Sequence, residues 1–283
     1  MKLLRVGAPG LETPAVRTDD GRILDISGLT ADIDGKFLAG DGVQRVRAAL
    51  AAGSLPELDA SGLRIGPPVA RPGKVVCIGL NYRDHAEETG AAIPPRPVVF
   101  MKAPYTVVGP NDTVLIPRGS TRTDWEVELA VVIGREARYL ESPEAALEHV
   151  AGYAVSNDVS EREFQLERSA QWDLGKSCET FNPLGPWLVT PDEAGDPGKL
   201  GLRLSVNGVS RQDGNTSNLI FDIGHVLWYL SQHMVLEPGD VVNTGTPAGV
   251  ALGLPDNPYL RPGDVVELEI DGLGTARQVF AAA

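Results

Sequence analysis

Thr123-Asp-Trp-Glu126-Val-Glu128-Leu-Ala-Val-Val-Ile-Gly134 reads as one β-strand. Apolar and β-branched residues dominate it, and a glycine closes it. Side chains alternate along a strand, so Glu126 and Glu128 share one face while Val127, Leu129 and Val131 share the other. Two adjacent carboxylates repel each other and lose hydration if buried. A hard divalent cation relieves both costs, because Mg²⁺ takes carboxylate oxygens as ligands. The same spacing also suits the solvated polar face of an edge strand, and at this point both readings stand.

Around this strand lie many others. Residues 75–79, 98–102, 106–108, 150–156, 187–190, 202–206, 241–244, 265–270 and 274–280 are each apolar or β-branched and bounded by turn formers. Helical patterns are fewer, the best being residues 143–149 and 217–230. Such an irregular order is not βαβα alternation, which argues against a Rossmann fold or a TIM barrel. The expected class is α+β, mainly β: a mixed β-roll with helices outside. Residues 3–6, 14–18 and 22–26 predict short strands and residues 41–52 a helix. The breakers Gly66-Pro-Pro68 and Arg71-Pro-Gly73 follow. The predicted division is therefore residues 1–68 as a small N-terminal α/β cap and residues 69–283 as the catalytic unit.

Composition narrows the function classes. The chain has 283 residues with 38 acidic and 25 basic side chains, a net charge of -13. Such a chain lacks the basic face that neutralises phosphates, so nucleic acid is not an expected partner. A local basic cluster can still receive an anionic small molecule. No run approaches 18 uncharged apolar residues, and residues 1–10 lack the pattern of a signal peptide. The expectation is a cytoplasmic protein without a membrane partner. Two cysteines, Cys77 and Cys178, are too few for a disulfide framework.

Four further segments carry chemistry. Asp158 ends a β-like run, where it can serve as a third metal ligand or cap a helix over residues 160–167. His85 and Glu88 stand one helical turn apart, and a carboxylate beside an imidazole fixes its tautomer and raises its basicity. Arg162 and Gln165 are similarly spaced, and Lys176 follows Gly175, which permits close backbone approach. These three can donate to an oxyanion, or belong to a helix with mixed surface charges. Asn243-Thr-Gly245-Thr246-Pro-Ala-Gly249 is a loop whose N–H groups can bind an anion. It lacks the GxxxxGK[ST] pattern of a Walker loop.

Taken in order, HxxE, ExE, a strand-end Asp, Arg…Gln…Gly-Lys and Thr-Gly-Thr-Pro resemble the fumarylacetoacetate hydrolase family over roughly residues 74–280. The subgroup it is most similar to is bacterial enzymes that cleave 2,4-dioxo acids, including 2,4-diketo-3-deoxy sugar acids. The resemblance implies a homodimer and one Mg²⁺ or Mn²⁺ held by Glu126, Glu128 and Asp158. It implies His85 and Glu88 as a water-activating dyad and Lys176 as a catalytic donor. Arg162, Gln165, Lys102 and Thr246 would contact substrate. One departure is Asn81, which stands where the founding enzymes carry a metal-helping aspartate, so it is not counted as a ligand.

The implied reaction is hydrolysis of the C–C bond of an acylpyruvate or related 2,4-dioxo acid, giving pyruvate and a carboxylic acid. Alternatives that keep the metal are a ureidoglycolate lyase and a hydratase or decarboxylase of a 2-oxo acid. A non-enzymatic alternative is an oxo-acid-binding module. The acyl half of the substrate is not readable from these motifs, and the Pro-rich residues 90–97 read either as part of a lid or as a plain surface loop.

Overall fold

The computed structural model describes residues 1–168 and 170–283. The strand Val127–Ile133 lies near the middle of an eleven-stranded mixed sheet and is buried along its whole length. It pairs antiparallel with Val150–Asn157 on one side and with Val241–Asn243 on the other. Val241–Asn243 then runs parallel to Val75–Gly79, which pairs antiparallel with Val98–Lys102. Beyond Val150–Asn157 come Asn182–Val189, Lys2–Val6, Thr13–Arg17 and Ile23–Asp25, each antiparallel to the last. The path never returns on itself, so the sheet is open and not a barrel.

Alternation along Val127–Ile133 sends each face into a different core. Val127, Leu129, Val131 and Ile133 pack with Val226, Leu227 and Leu230 of the helix Ile223–Ser231 and with Leu202, Leu204, Val266 and Leu268. The last four belong to a five-stranded sheet that covers this face. Its strand Val265–Ile270 alternates buried and exposed positions, as expected for a sheet with one wet side. The opposite face carries Ala130 and Val132. It packs with Val75, Cys77, Leu188 and Val241, and with Leu3, Val16, Ile33, Phe37 and Val46 of the N-terminal segment. That segment is a small α/β region with helices Gly35–Ala39 and Gly42–Ala51. The expected mixed, mainly β architecture with a smaller N-terminal α/β part is therefore what the chain forms.

Three local expectations are corrected. The helix predicted for residues 217–230 begins only at Ile223, where the Asp222 side chain accepts from His225 N–H at 2.8 Å. Residues just before it are recruited elsewhere: Ile220 N–H donates to Asn81 O at 2.7 Å and Phe221 N–H to Asn81 Oδ1 at 2.9 Å. The strand predicted for residues 187–190 starts earlier, at Asn182, despite Pro183 and Pro186. Its register against Val150–Asn157 shifts between Tyr153 and Val155, which accommodates the missing N–H donors. The polar strand Val209–Asn215 was not foreseen. No helix among the described residues is long and apolar enough to cross a membrane. Both cysteines are free thiols.

Candidate metal centre and active site

The acidic cluster follows directly from strand register. Val127 pairs with Asn157 across antiparallel strands, so Asp158 comes opposite Glu126, and its N–H donates to Glu126 O at 2.9 Å. Glu126 and Glu128 project from the same face of their strand. Oxygens of Glu126, Glu128 and Asp158 all lie within 4.8 Å of one another, and all three residues are buried. Three convergent hard oxygen donors suit a Mg²⁺- or Mn²⁺-class ion, and the edge-strand reading of the ExE pair falls with its burial. Asp158 does not cap the following helix: Glu161 does, accepting from Phe164 N–H at 2.7 Å.

Cations balance the acids. Lys176 Nζ lies 2.8 Å from Glu126 Oε2 and 3.0 Å from Asp158 Oδ2. Lys102 Nζ binds Asp158 and the carbonyl of Val159. Arg162 Nε lies 2.8 Å from Asp124 Oδ2. Its Nη2 stands 2.8 Å from Glu126 Oε1 as an ion pair whose angle is too poor for a hydrogen bond. Burial opposes ionisation of Glu126, but Lys176 and Arg162 override it and draw the carboxyl down to about 2. Glu128 behaves oppositely. Burial, then the charges of Asp158 and Glu126, hold it well above the carboxylate range, although it accepts from Gly245 N–H at 2.7 Å. Burial would lower Lys176, yet Asp158 and Glu126 raise it to about 12, so the ammonium persists at neutral pH.

A cavity of about 220 Å³ opens beside this cluster. Glu126, Glu128, Arg162, Gln165, Lys176, Thr246 and His85 all line it. His85 projects from the helix Arg83–Thr89, and its Nδ1 lies 3.3 Å from Glu88 Oε2. Glu88 is itself held by Gly249 N–H, at 2.9 and 3.1 Å to its two oxygens. The N–H groups of the Gly-Thr-Pro loop are therefore taken up by the chain's own carboxyl groups, Glu128 and Glu88. At Gly245 (φ +104°) a Cβ would sit 2.8 Å from that of Asn81, so glycine is required there. Asn81 spends its amide on Phe221 O and Thr244 O and takes no part in the acid cluster.

Of the other expected residues, Gln165 faces the cavity with Oε1 held by Arg162 Nη1 at 3.0 Å, which turns its NH₂ outward as a donor. Gly175 permits the approach foreseen for it: a Cβ would sit 2.4 Å from Gln165 N and 2.5 Å from Glu161 O. Thr246 lines the cavity, but its hydroxyl donates to Val127 O and accepts from Gln212 Nε2. Lys102 is absent from the lining and meets the acids from behind. Two residues were missed. Asp124 accepts from Trp125, Ala251 and Leu252 N–H as well as from Arg162. Gln212 accepts from Val127 N–H and donates to Thr246 and Pro247. Asp124 continues the alternation of Glu126 and Glu128, a signal that was available, whereas Gln212 had none.

Comparison with known proteins bears on this geometry. Residues 74–281 match the model of the fumarylacetoacetate (FAA) hydrolase C-terminal family. A Burkholderia multivorans protein, named only provisionally as a hydrolase, is 50% identical over 284 residues, covering 100% of both chains. The fumarylacetoacetate hydrolase of Exiguobacterium antarcticum matches in structure at a TM-score of 0.87 with 36% identity, covering 100% of both chains. Maleylpyruvate hydrolase from Sphingobium sp. SYK-6, solved with manganese(II) and pyruvate, matches at 0.82 with 28% identity, again covering 100% of both chains.

Proposed function

The chain belongs to the fumarylacetoacetate hydrolase family, and from that premise we propose that it hydrolyses the C–C bond of a 2,4-dioxo acid to pyruvate and a carboxylic acid. The coarser statement is that it is a hydrolase or isomerase of 2-oxo or 2,4-dioxo acids with a metal-associated acid cluster. One observation carries the finer reading: His85, paired with Glu88, lines the same cavity as Glu126 and Glu128 of the three clustered carboxylates.

Glu126, Glu128 and Asp158 would hold a Mg²⁺ or Mn²⁺, which when bound supplies Lewis acidity and a template for the substrate's carboxylate and 2-oxo oxygens. His85, oriented through Nδ1 by Glu88, takes a proton from water at Nε2. The hydroxide so formed adds to the C4 carbonyl carbon. Lys176 and the Gln165 NH₂ donate to the resulting oxyanion. The C3–C4 bond then breaks, its electron pair passes to C3, and the new carboxyl group leaves with C4. Protonation of C3 by the imidazolium gives pyruvate and returns His85 to its neutral state. Arg162 keeps Glu126 and Gln165 aligned. These residues all fall within 69–283, which we assign as the catalytic unit, with residues 1–68 as a cap over the Ala130 and Val132 face of its sheet.

Assay of acetylpyruvate with Mn²⁺ or Mg²⁺ tests the proposal. Pyruvate release should vanish with chelator and fall at least about a hundredfold in His85→Ala, the scale of general-base catalysis, and in Glu126→Ala. Full activity in His85→Ala would remove the dyad from the mechanism. Product analysis separates the rivals, since a ureidoglycolate lyase releases glyoxylate and urea, and a decarboxylase has little use for a water-activating pair.

A further inference from the structure

The cavity lining combines two chemistries. Glu126, Glu128, Lys176, Arg162 and His85 are its ionisable groups, and Ile78, Leu80, Phe100, Leu166, Trp172 and Leu252 are its large apolar side chains. Phe100 and Trp172 form an aromatic corner, with ring centroids 5.4 Å apart and planes tilted by 57°. The corner adjoins the charged groups: Lys176 Nζ lies 4.9 Å from the Phe100 centroid. Trp172 closes down on the backbone, because a Cβ on Gly79 would come within 2.4 Å of its Cζ3.

Charge in the lining is already committed. Among the described residues, Arg162 and Lys176 are the lining side chains that carry a standing positive charge. Arg162 is paired with Asp124 and Glu126, and Lys176 with Glu126 and Asp158. A second carboxylate seated against Phe100 and Trp172 would have to share Lys176 or Arg162 with the acids they already serve, at a steep desolvation cost. A polyhydroxylated chain would fare little better. The uncharged polar side chains in the lining are Thr89, Gln165 and Thr246, and the Thr89 hydroxyl already donates to His85 O at 2.9 Å and that of Thr246 to Val127 O.

We infer that the acyl half of the substrate is an uncharged hydrocarbon group, alkyl or aryl, seated against Phe100 and Trp172, with Trp172 setting the preference. The inference rests on the dioxo-acid reading above and narrows it to apolar acylpyruvates, away from dicarboxylic and sugar-acid substrates.

Calorimetric titration of the Mn²⁺-loaded protein with pyruvate, 2-oxohexanoate and 2-oxoadipate tests it without turnover. Each buried CH₂ is worth a factor of about four in affinity. The hydrocarbon-tipped six-carbon acid should therefore bind at least about tenfold more tightly than both pyruvate and its carboxylate-tipped counterpart. Trp172→Ala should erase most of that gain while leaving pyruvate within about twofold, and Trp172→Phe should keep most of it. Equal or tighter binding of 2-oxoadipate overturns the inference, as does equal weakening of all three acids by Trp172→Ala or failure of both six-carbon acids to bind. Rates distinguish the two levels. If no dioxo acid is cleaved but the binding preference holds, the hydrolase reading falls and the apolar pocket stands. If acylpyruvates are cleaved with carboxylate-tipped ones fastest, the hydrolase stands and the pocket assignment falls.

Discussion

The carboxylate of Asp124 accepts four hydrogen bonds, from Trp125 N, Ala251 N, Leu252 N and Arg162 Nε, at 2.8 to 3.0 Å. It thus fixes the loop beyond Gly249 and the guanidinium that steadies Glu126. An asparagine has one acceptor oxygen and would turn an NH₂ toward two of these donors. Asp124→Asn should cost about 3 kcal/mol in urea unfolding, the scale of breaking a buried ion pair, and should lower kcat. Unchanged stability would mean that Glu126 alone satisfies Arg162. Asp124 was visible in the quoted strand as an acid, but its partners lie 38 and 127 residues away, so its role was not. The two glutamates titrate in opposite directions. Glu128 is raised by burial and by neighbouring acids, so in the metal-free protein its contribution to stability is full below the ordinary value of 4.5 and is lost as pH rises through its folded value. Glu126, drawn down to about 2, contributes above 4.5 and loses that contribution as pH falls toward 2. Chelator-treated protein should accordingly lose stability to urea as pH rises above 4.5. Glu128→Gln should flatten that loss and Mn²⁺ should reverse it. A pH-independent wild-type midpoint would contradict the assignment.

At the scale of elements, what was legible was what periodicity records. The strands predicted at residues 150–156 and 241–244 form at Val150–Asn157 and Val241–Asn243, and the ExE strand forms from Val127 to Ile133, but Thr123–Asp124 leaves it to pair with Ser160–Glu161 in a separate two-stranded sheet. The strand Val209–Asn215 carries no such pattern: all but one of its residues are exposed or half-buried, most are polar, and its existence depends on pairing with Gly201–Val206. Its one buried side chain, Gln212, reaches into the main sheet and completes bonds that the strand Val127–Ile133 and the loop after Val241–Asn243 cannot make for themselves. Gln212→Leu keeps the bulk and leaves Val127 N–H without its acceptor. It should destabilise the protein by about 1–3 kcal/mol, the cost of a buried unmet donor, and weaken Mn²⁺ affinity through a displaced Glu126–Glu128 pair. Titration of Mn²⁺ in the variant reads the second effect, and wild-type affinity would show that this edge strand is scaffolding without a hold on the acids.

For the molecule as a whole, the net charge of -13 describes the surface and not the site, where Lys102, Lys176 and Arg162 counter three buried acids, Asp124, Glu126 and Asp158. Gly and Pro near residue 68 suggest a division of the chain there, but the sequence hides how deeply the first segment enters the fold. Lys2–Val6 lies between Thr13–Arg17 and Asn182–Val189 within the same sheet, with Leu3 opposite Leu188. Ile33, Phe37 and Val46 cover Ala130, Val132, Val75 and Val241 on the face that also bears the glutamates. Removing residues 1–68 would expose that apolar face and leave Asn182–Val189 with an unpaired edge, a template for aggregation. Residues 69–283 expressed alone should therefore be insoluble or bind hydrophobic dye strongly. Co-expression with residues 1–68 as a separate chain should recover soluble material and Mn²⁺ binding. A soluble, metal-binding fragment 69–283 would instead mean that the sheet closes over its own face, and that the N-terminal segment is dispensable for the centre it covers.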